Sequence, residues 1–351
     1  MAKVTQKNKF QQFLKVQPQA IELTSSEKLV KTDYLQPGQI PLVITPAIED
    51  LDIIDWIKNN RQFLENQLRQ HGGILFRNCN LTSVTDFENL AQAICPNLFG
   101  DYGDLPRSEI SNKVYGSTPY PADKAILFHN ESSHLNCYPQ KIWFFCVQPA
   151  QQGGETPIVD CRQVYQLLEP KLRQKLAQKQ LMYVRNYIEG LDVSWQHFFR
   201  TKDKVVVENY CRKSQIEFEW LPNNGLRTRQ KCPAIAQHPF TKETVFFNQI
   251  QLHHISYLDT KVRESLTSVL GAKNLPRNVY YGDGSDIEAA EIAAINRAYQ
   301  AAKVSFPWQQ NDVLMLDNML TAHSRNSYRG DRKIVVAMGE MITTNNSSIK
   351  I

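Results

Sequence analysis

The sequence predicts a mainly β fold, a sheet sandwich or barrel core carrying helical insertions. Three observations lead there. Strand-like apolar runs separated by turn residues fill residues 124–160, and two more strand-like runs, VLMLDN and KIVVAMGE, flank a polar loop near the C-terminal end. The helical stretches between them neither alternate regularly with strands, as in a βαβ fold, nor dominate, as in a bundle.

Size and composition set the frame. The 351 residues exceed a usual single domain, but β-barrel enzymes with insertions run long, so one elaborated domain is expected. We expect an arm over residues 1–45, a single domain over 46–345 and a short tail over 346–351. With 42% hydrophobic and 21% charged residues the chain can bury a large core, which excludes disorder as its main state. The net charge of +5 arises from 40 basic and 35 acidic residues well mixed along the chain, so no nucleic-acid partner is expected. No apolar run approaches the roughly 18 residues that span a bilayer, and the start lacks an apolar signal core. A cytoplasmic protein without a membrane partner is expected. The seven cysteines contain no CxxC pair, so reduced thiols are expected rather than disulfides or a zinc cluster.

In chain order, DIIDWIKNNRQFLENQLRQHG has helical spacing and closes on Gly72-Gly73, and Ile74-Leu75-Phe76 reads as a buried strand. A helix resumes at residues 85–91. Strands are expected at AILFH, KIWFFCV and TPIVD, with a turn at Gln152-Gly153-Gly154. RQVYQLLEPKLRQKLAQ is helical and LMYVRNY strand-like; KVVVENYC and ETVFFNQIQL are further strand candidates. SDIEAAEIAAINRAYQAA begins with a capping-box pattern, Ser285 and Glu288, and reads as a helix.

The chemistry concentrates in Phe128-His129-Asn130-Glu131-Ser132-Ser133-His134. On a strand, His129 and Glu131 share a face and could share one ion. Alone, such a triplet is usually structural. His323, however, lies in LDNMLTAHSRNSYRGDRKIVV between two strand-like runs, with Arg332 at the start of the second. Two histidines and a carboxylate on one side of a metal suit non-haem Fe(II), and a guanidinium could clamp a carboxylate beside it.

The segments HNE, GGETPIVD and DNMLTAHSRNSYRGDRKIVVAM, in this order, resemble the iron(II)- and 2-oxoglutarate-dependent oxygenases of the taurine dioxygenase (TauD/TfdA) family. The HxE form resembles the subgroup of clavaminate synthase, asparagine oxygenase and syringomycin-type amino-acid hydroxylases. The resemblance runs from about His71 to about Glu340 and is weakest at both ends and between 185 and 240. It implies a double-stranded β-helix (jelly-roll, cupin-like) core. It also implies His129, Glu131 and His323 as iron ligands, Thr156 as a hydrogen-bond donor to 2-oxoglutarate and Arg332 as the partner of its distal carboxylate. Lys333 is adjacent, but consecutive strand residues face opposite ways and only one can reach the pocket.

The implied reaction uses Fe(II), 2-oxoglutarate and O2 and releases succinate and CO2 while hydroxylating an unactivated C–H bond. Retention of Glu131, where related halogenases carry a small residue, favours hydroxylation over halogenation. The implied substrate is an amino acid or an amino-acid-derived natural-product intermediate, free or held on a carrier protein. Desaturation, epoxidation or oxidative cyclisation with the same cofactors, a non-catalytic jelly-roll binding protein, and a zinc hydrolase using the same triad are the alternatives.

The remaining candidates are weaker. His134 is expected outside the ligand set, and Asn130 to point away from the metal. Of His253 and His254, one is expected to line the pocket, with His254 the substrate candidate; Arg107 could hold a substrate carboxylate. Trp143, Phe144, Phe145 and Trp308 are expected in the core rather than as a substrate platform.

Overall fold

A computed structural model describes residues 29–36, 38–99, 109–111, 113–117, 120–188 and 190–343. Its frame is an eight-stranded sheet in the order Val30–Tyr34, Leu42–Pro46, Gly73–Phe76, Val313–Asp317, Cys137–Gln148, Lys333–Thr343, Val114–Gly116 and Glu109–Ser111. All neighbours pair antiparallel except Leu42–Pro46 with Gly73–Phe76. The first strand and all but the last residue of the second lie within the stretch 1–45 that the sequence assigned to an arm.

The two long central strands explain the layering. Their residues alternate between faces, as the two-residue period of a strand requires. Trp143, Phe145, Val335 and Ala337 pack against Leu64, Phe87 and Leu90 of the helices Arg61–His71 and Val84–Ile94. Phe87 and Phe145 stack with centroids 5.3 Å apart. On the opposite face, Ile142, Phe144, Ile334, Val336 and Met338 join Ile158 of a three-stranded sheet ordered Ile126–His129, Thr321–Arg325, Ile158–Asp160. The small sheet thus sits over the main one, and the space between them is where the site forms.

One glycine fastens the helical layer to this arrangement. Gly72 ends the helix Arg61–His71 at φ 70°, and a Cβ there would come within 2.5 Å of Thr321 Oγ1. Its carbonyl accepts from Thr321 Oγ1 at 2.8 Å and from the Asp317 N–H at 2.9 Å, at the foot of the strand Thr321–Arg325.

The described chain is mixed α/β, more helical than a mainly β fold, and several local readings change. KVVVENYC is not a strand: Lys204–Lys213 is a helix, capped by the Asp203 side chain accepting from the Val205 N–H. Val207 and Cys211, four apart, face a cluster with Tyr187, Trp195 and Leu226, while Val205 and Val206 are exposed. Tertiary packing overrides the β propensity of the valine run. ETVFFNQIQL is strand only over Thr244–Phe246 and turns into the helix Ile250–His253. The helix expected from Ser285 begins at Ala289, and the box is Glu288 with Glu291, whose carboxylate accepts from the Glu288 N–H at 2.9 Å. Ser285 instead donates to Asp283 in the preceding turn. The stretch 161–179 is two helices, Cys161–Leu167 and Pro170–Lys179, because Pro170 starts the second at a position needing no amide hydrogen. DIIDWIKNNRQFLENQLRQHG likewise divides at Asn60.

The insertion between 181 and 281 adds a four-stranded antiparallel sheet, ordered Glu217–Leu221, Gly225–Cys232, Leu181–Tyr187, Arg277–Tyr281. All seven cysteines are free. Among the described residues no helix is long and apolar enough to cross a membrane.

Candidate active site

Antiparallel pairing builds the site. His129 closes the strand Ile126–His129, and the register sets it directly opposite His323 of Thr321–Arg325. Directly paired residues share a face, and the two imidazoles lie 4.2 Å apart between centroids. Glu131 reaches the same point differently from the expected strand: the strand stops at His129, and Glu131 sits in the turn that follows. Its Oε2 is 3.9 Å from Nε2 of each histidine. The three buried side chains offer ligand atoms all within 4.8 Å of one another.

The tautomer also suits a ligand. His129 Nδ1 lies 2.8 Å from the Leu127 carbonyl, an acceptor, so Nδ1 carries the proton and the Nε2 lone pair faces the carboxylate. Two imidazoles and a carboxylate, without thiolate, form the donor set that suits Fe(II) and leaves one side of the ion open.

A buried amide network holds Glu131. Asn318 Oδ1 accepts from the Glu131 N–H at 2.7 Å, while Asn318 Nδ2 donates to the carbonyls of Glu131 at 3.0 Å and Pro139 at 2.8 Å. Asn130 points away from the triad, and Nδ2 donates to the Asn318 carbonyl at 2.7 Å. Asp317 accepts from the Met319 and Leu320 N–H groups and, through Oδ2, from His238 Nε2 at 3.0 Å and Gln140 Nε2 at 2.7 Å. Sequence reasoning missed Asn318 and Asp317; the signal was the Asp-Asn pair just ahead of the strand bearing His323.

A small cavity of about 40 Å³, partly open to solvent, extends from the triad between the two sheets. Phe144, Ile126, Ile334 and Val336 form its apolar wall, and Thr156, Arg325 and Arg332 its polar end. Arg332 Nε donates to the Gly154 carbonyl at 2.8 Å, and Nη2 stands 3.5 Å from Thr156 Oγ1, which accepts from Trp308 Nε1 at 3.1 Å. Burial first, then the neighbouring Arg325, pulls Arg332 down to about 10. Lys333, which begins the strand, is exposed, so of these two neighbours Arg332 is the one in the wall. Arg325 was missed; its signal was the spacing HSR, which places it two residues past His323 on the same strand face.

Other candidates separate from this cavity. His254 is not in its wall: Nδ1 accepts from the Ser256 N–H at 3.2 Å, the ring meets Tyr257 edge-on, and burial lowers its pKa. His253 packs against His134 at 4.9 Å and Tyr183 at 5.0 Å. Arg107 lies outside the described residues. Trp143, Phe144, Phe145 and Trp308 are all core, as expected; Phe144 also lines the cavity 4.9 Å from the His323 ring, and Trp308 donates to Thr156.

Comparison with known proteins gives the geometry its context. Residues 35–338 match the family model "Taurine catabolism dioxygenase TauD, TfdA family". The dapdiamide synthesis protein DdaC of Enterobacter agglomerans is 35% identical over 297 residues, 84% of this chain and 90% of that protein. A clavaminate synthase-like protein of Arabidopsis thaliana is 28% identical over 325 residues, 87% of this chain and 95% of that one. Among solved structures, a taurine dioxygenase from Burkholderia xenovorans superposes with TM-score 0.54 at 14% identity, covering 92% of this chain and 96% of that chain. PvcB of Pseudomonas aeruginosa does so with TM-score 0.53 at 12% identity, covering 90% and 93%. These likenesses show the fold, that of the TauD-type double-stranded β-helix. The chain therefore belongs to the TauD/TfdA family and is an Fe(II)- and 2-oxoglutarate-dependent dioxygenase.

Proposed function

We propose that this oxygenase hydroxylates an unactivated C–H bond of an amino acid or amino-acid-derived natural-product intermediate. The observation that carries the reading is the joining of the buried His129–Glu131–His323 triad to the Thr156–Arg332 end in one cavity. The similarity to DdaC, a protein of dapdiamide synthesis, supports a substrate of that class. Whether such a substrate arrives free or on a carrier protein is a second choice within the same reading.

In this reading His129, Glu131 and His323 hold the metal from one side. Bound iron with 2-oxoglutarate and O2 supplies the oxidising power, releasing succinate and CO2. Arg332 meets the distal carboxylate of 2-oxoglutarate with its guanidinium fork, and the Thr156 hydroxyl adds an oriented donor. Trp308 fixes that hydroxyl by occupying one of its acceptor positions. Phe144, Ile126, Ile334 and Val336 keep water from the reacting end. Glu131 is turned toward the metal by Asn318 rather than by strand geometry, so the ligand set depends on a buried amide.

The test is aerobic incubation of the Fe(II)-loaded enzyme with 2-oxoglutarate and panels of free amino acids and carrier-bound aminoacyl groups. Succinate formed in step with a product one oxygen heavier is the expected result. A product two hydrogens lighter would replace hydroxylation by desaturation or ring closure, and no coupled product from either panel would remove the substrate class.

A further inference from the structure

The cavity contains a second guanidinium that the reading above does not use. Arg325 is 6% exposed and lies in the wall. Its Nη1 donates to the Tyr120 carbonyl at 3.1 Å, and its Nη2 to the carbonyls of Pro121 at 2.6 Å and Lys124 at 2.7 Å. These bonds staple residues 120–124, all exposed, just ahead of the strand that carries His129. They consume three of its five donors, and the buried Nε–H has no hydrogen-bond partner among the described residues.

Two such cations in one cavity make it attractive to an anion. Among the described residues Arg325 bonds only to neutral carbonyls, and Arg332 to a carbonyl and a hydroxyl. Both guanidiniums sit over the same ring, Tyr328, at 5.2 Å for Arg325 and 5.5 Å for Arg332. Glu155 is the carboxylate that bears on Arg332, whereas Arg325, held by carbonyl dipoles with a like charge across one ring, favours an entering carboxylate.

Position says which carboxylate. Arg325 is opposite Ile126 in the ladder, two residues past His323 and across a register shift from the His323–His129 pair; two strand residues span about 7 Å. That is the scale on which the far carboxylate of a five-carbon 2-oxodiacid stands from a metal holding its keto end. We propose that Arg325 is a second determinant of the co-substrate's distal carboxylate, sharing it with Arg332 and selecting a 2-oxodiacid over a 2-oxomonoacid. The proposal rests on the assignment of Arg332 to 2-oxoglutarate.

The experiment is anaerobic calorimetric titration of the Fe(II)-loaded protein with 2-oxoglutarate and with 2-oxobutyrate, which lacks the distal carboxylate. Wild type, Arg325→Gln and Arg332→Gln are compared. Each substitution should lower the preference for 2-oxoglutarate by about tenfold or more, the scale of a lost charge-assisted hydrogen bond. If Arg325→Gln weakens both ligands equally, or neither, Arg325 is only the staple of residues 120–124 and the proposal falls. If Arg332→Gln also leaves the preference unchanged, the underlying assignment of Arg332 falls as well. A wild-type readout covers the case in which Arg325→Gln does not fold. In Zn(II)-loaded protein labelled with 15N-arginine, the Arg325 Nε–H resonance should shift with 2-oxoglutarate and not with 2-oxobutyrate; equal shifts would overturn the proposal.

Discussion

The two ends of the cavity are built on opposite principles. At the metal end, His129 and His323 are set by strand register, and Glu131 by Asn318, which accepts from the Glu131 N–H and donates to the Glu131 and Pro139 carbonyls. Every supporting group there is buried. At the far end, Arg325 and Arg332 are held by carbonyls of irregular chain, including the exposed residues 120–124. The metal end is thus organised by the fold before a ligand arrives, whereas the far end keeps one buried and one half-buried cation hydrogen-bonded only to neutral groups among the described residues. Ligand set and co-substrate affinity should therefore respond to different substitutions.

The largest effect should come from the metal end itself. His323→Ala should abolish 2-oxoglutarate-dependent turnover while shifting unfolding by only about 1–2 kcal/mol, since it removes one ring from a cavity edge. Urea unfolding and succinate release on the same preparation check both parts, and full activity in the variant would remove His323 from the ligand set. Next is Asn318→Ala. It strands buried donor and acceptor groups of Glu131 and Pro139 and should cost about 3 kcal/mol of stability. It should also weaken Fe(II) binding about 10- to 100-fold, as loss of an outer partner does. If metal affinity is unchanged, the clamp on Glu131 is structural only.

At the far end the effects should fall on co-substrate affinity alone. Burial and the neighbouring Arg325 pull Arg332 down to about 10, and only its protonated form attracts a carboxylate. Binding of 2-oxoglutarate should therefore hold steady below that value and weaken by up to about tenfold per pH unit above it. Carboxylate binding favours the charged form, so it should also raise the Arg332 pKa. Affinity that stays flat to pH 11 would mean another cation carries the contact. The smallest change is Trp308→Phe, which removes the neutral bond to Thr156 and should cost about two- to fivefold in 2-oxoglutarate affinity with Fe(II) binding intact.

How much of this was legible in the sequence follows from the same contrast. HxE and His323 were readable because adjacent strand pairing and a metal's donor set both restrict spacing and residue type. Arg332 was preferred to Lys333 through the family pattern, and Arg332 lines the cavity while Lys333 is exposed. The turn that delivers Glu131 was not readable, because it depends on Asn318, 187 positions away. Arg325 carried a signal, its step of two from His323, but an arginine on a strand is commonly a surface residue until the partner sheet covers it. The helix over Lys204–Lys213 was misread as a strand because its valines satisfy β propensity locally, and only packing of Val207 and Cys211 decides otherwise. His254 failed as a pocket residue since adjacent histidines at a helix end diverge, and its ring caps the next turn.

The most direct test of the account is anaerobic titration of Fe(II) into the metal-free protein with 2-oxoglutarate, following the weak visible charge-transfer band of the chelate. The account predicts that the band forms in wild type, weakens in Arg332→Ala at equal 2-oxoglutarate, and is lost in His323→Ala. Iron binding without a band in wild type would contradict it, because the triad and the arginine end would then not be two ends of one site.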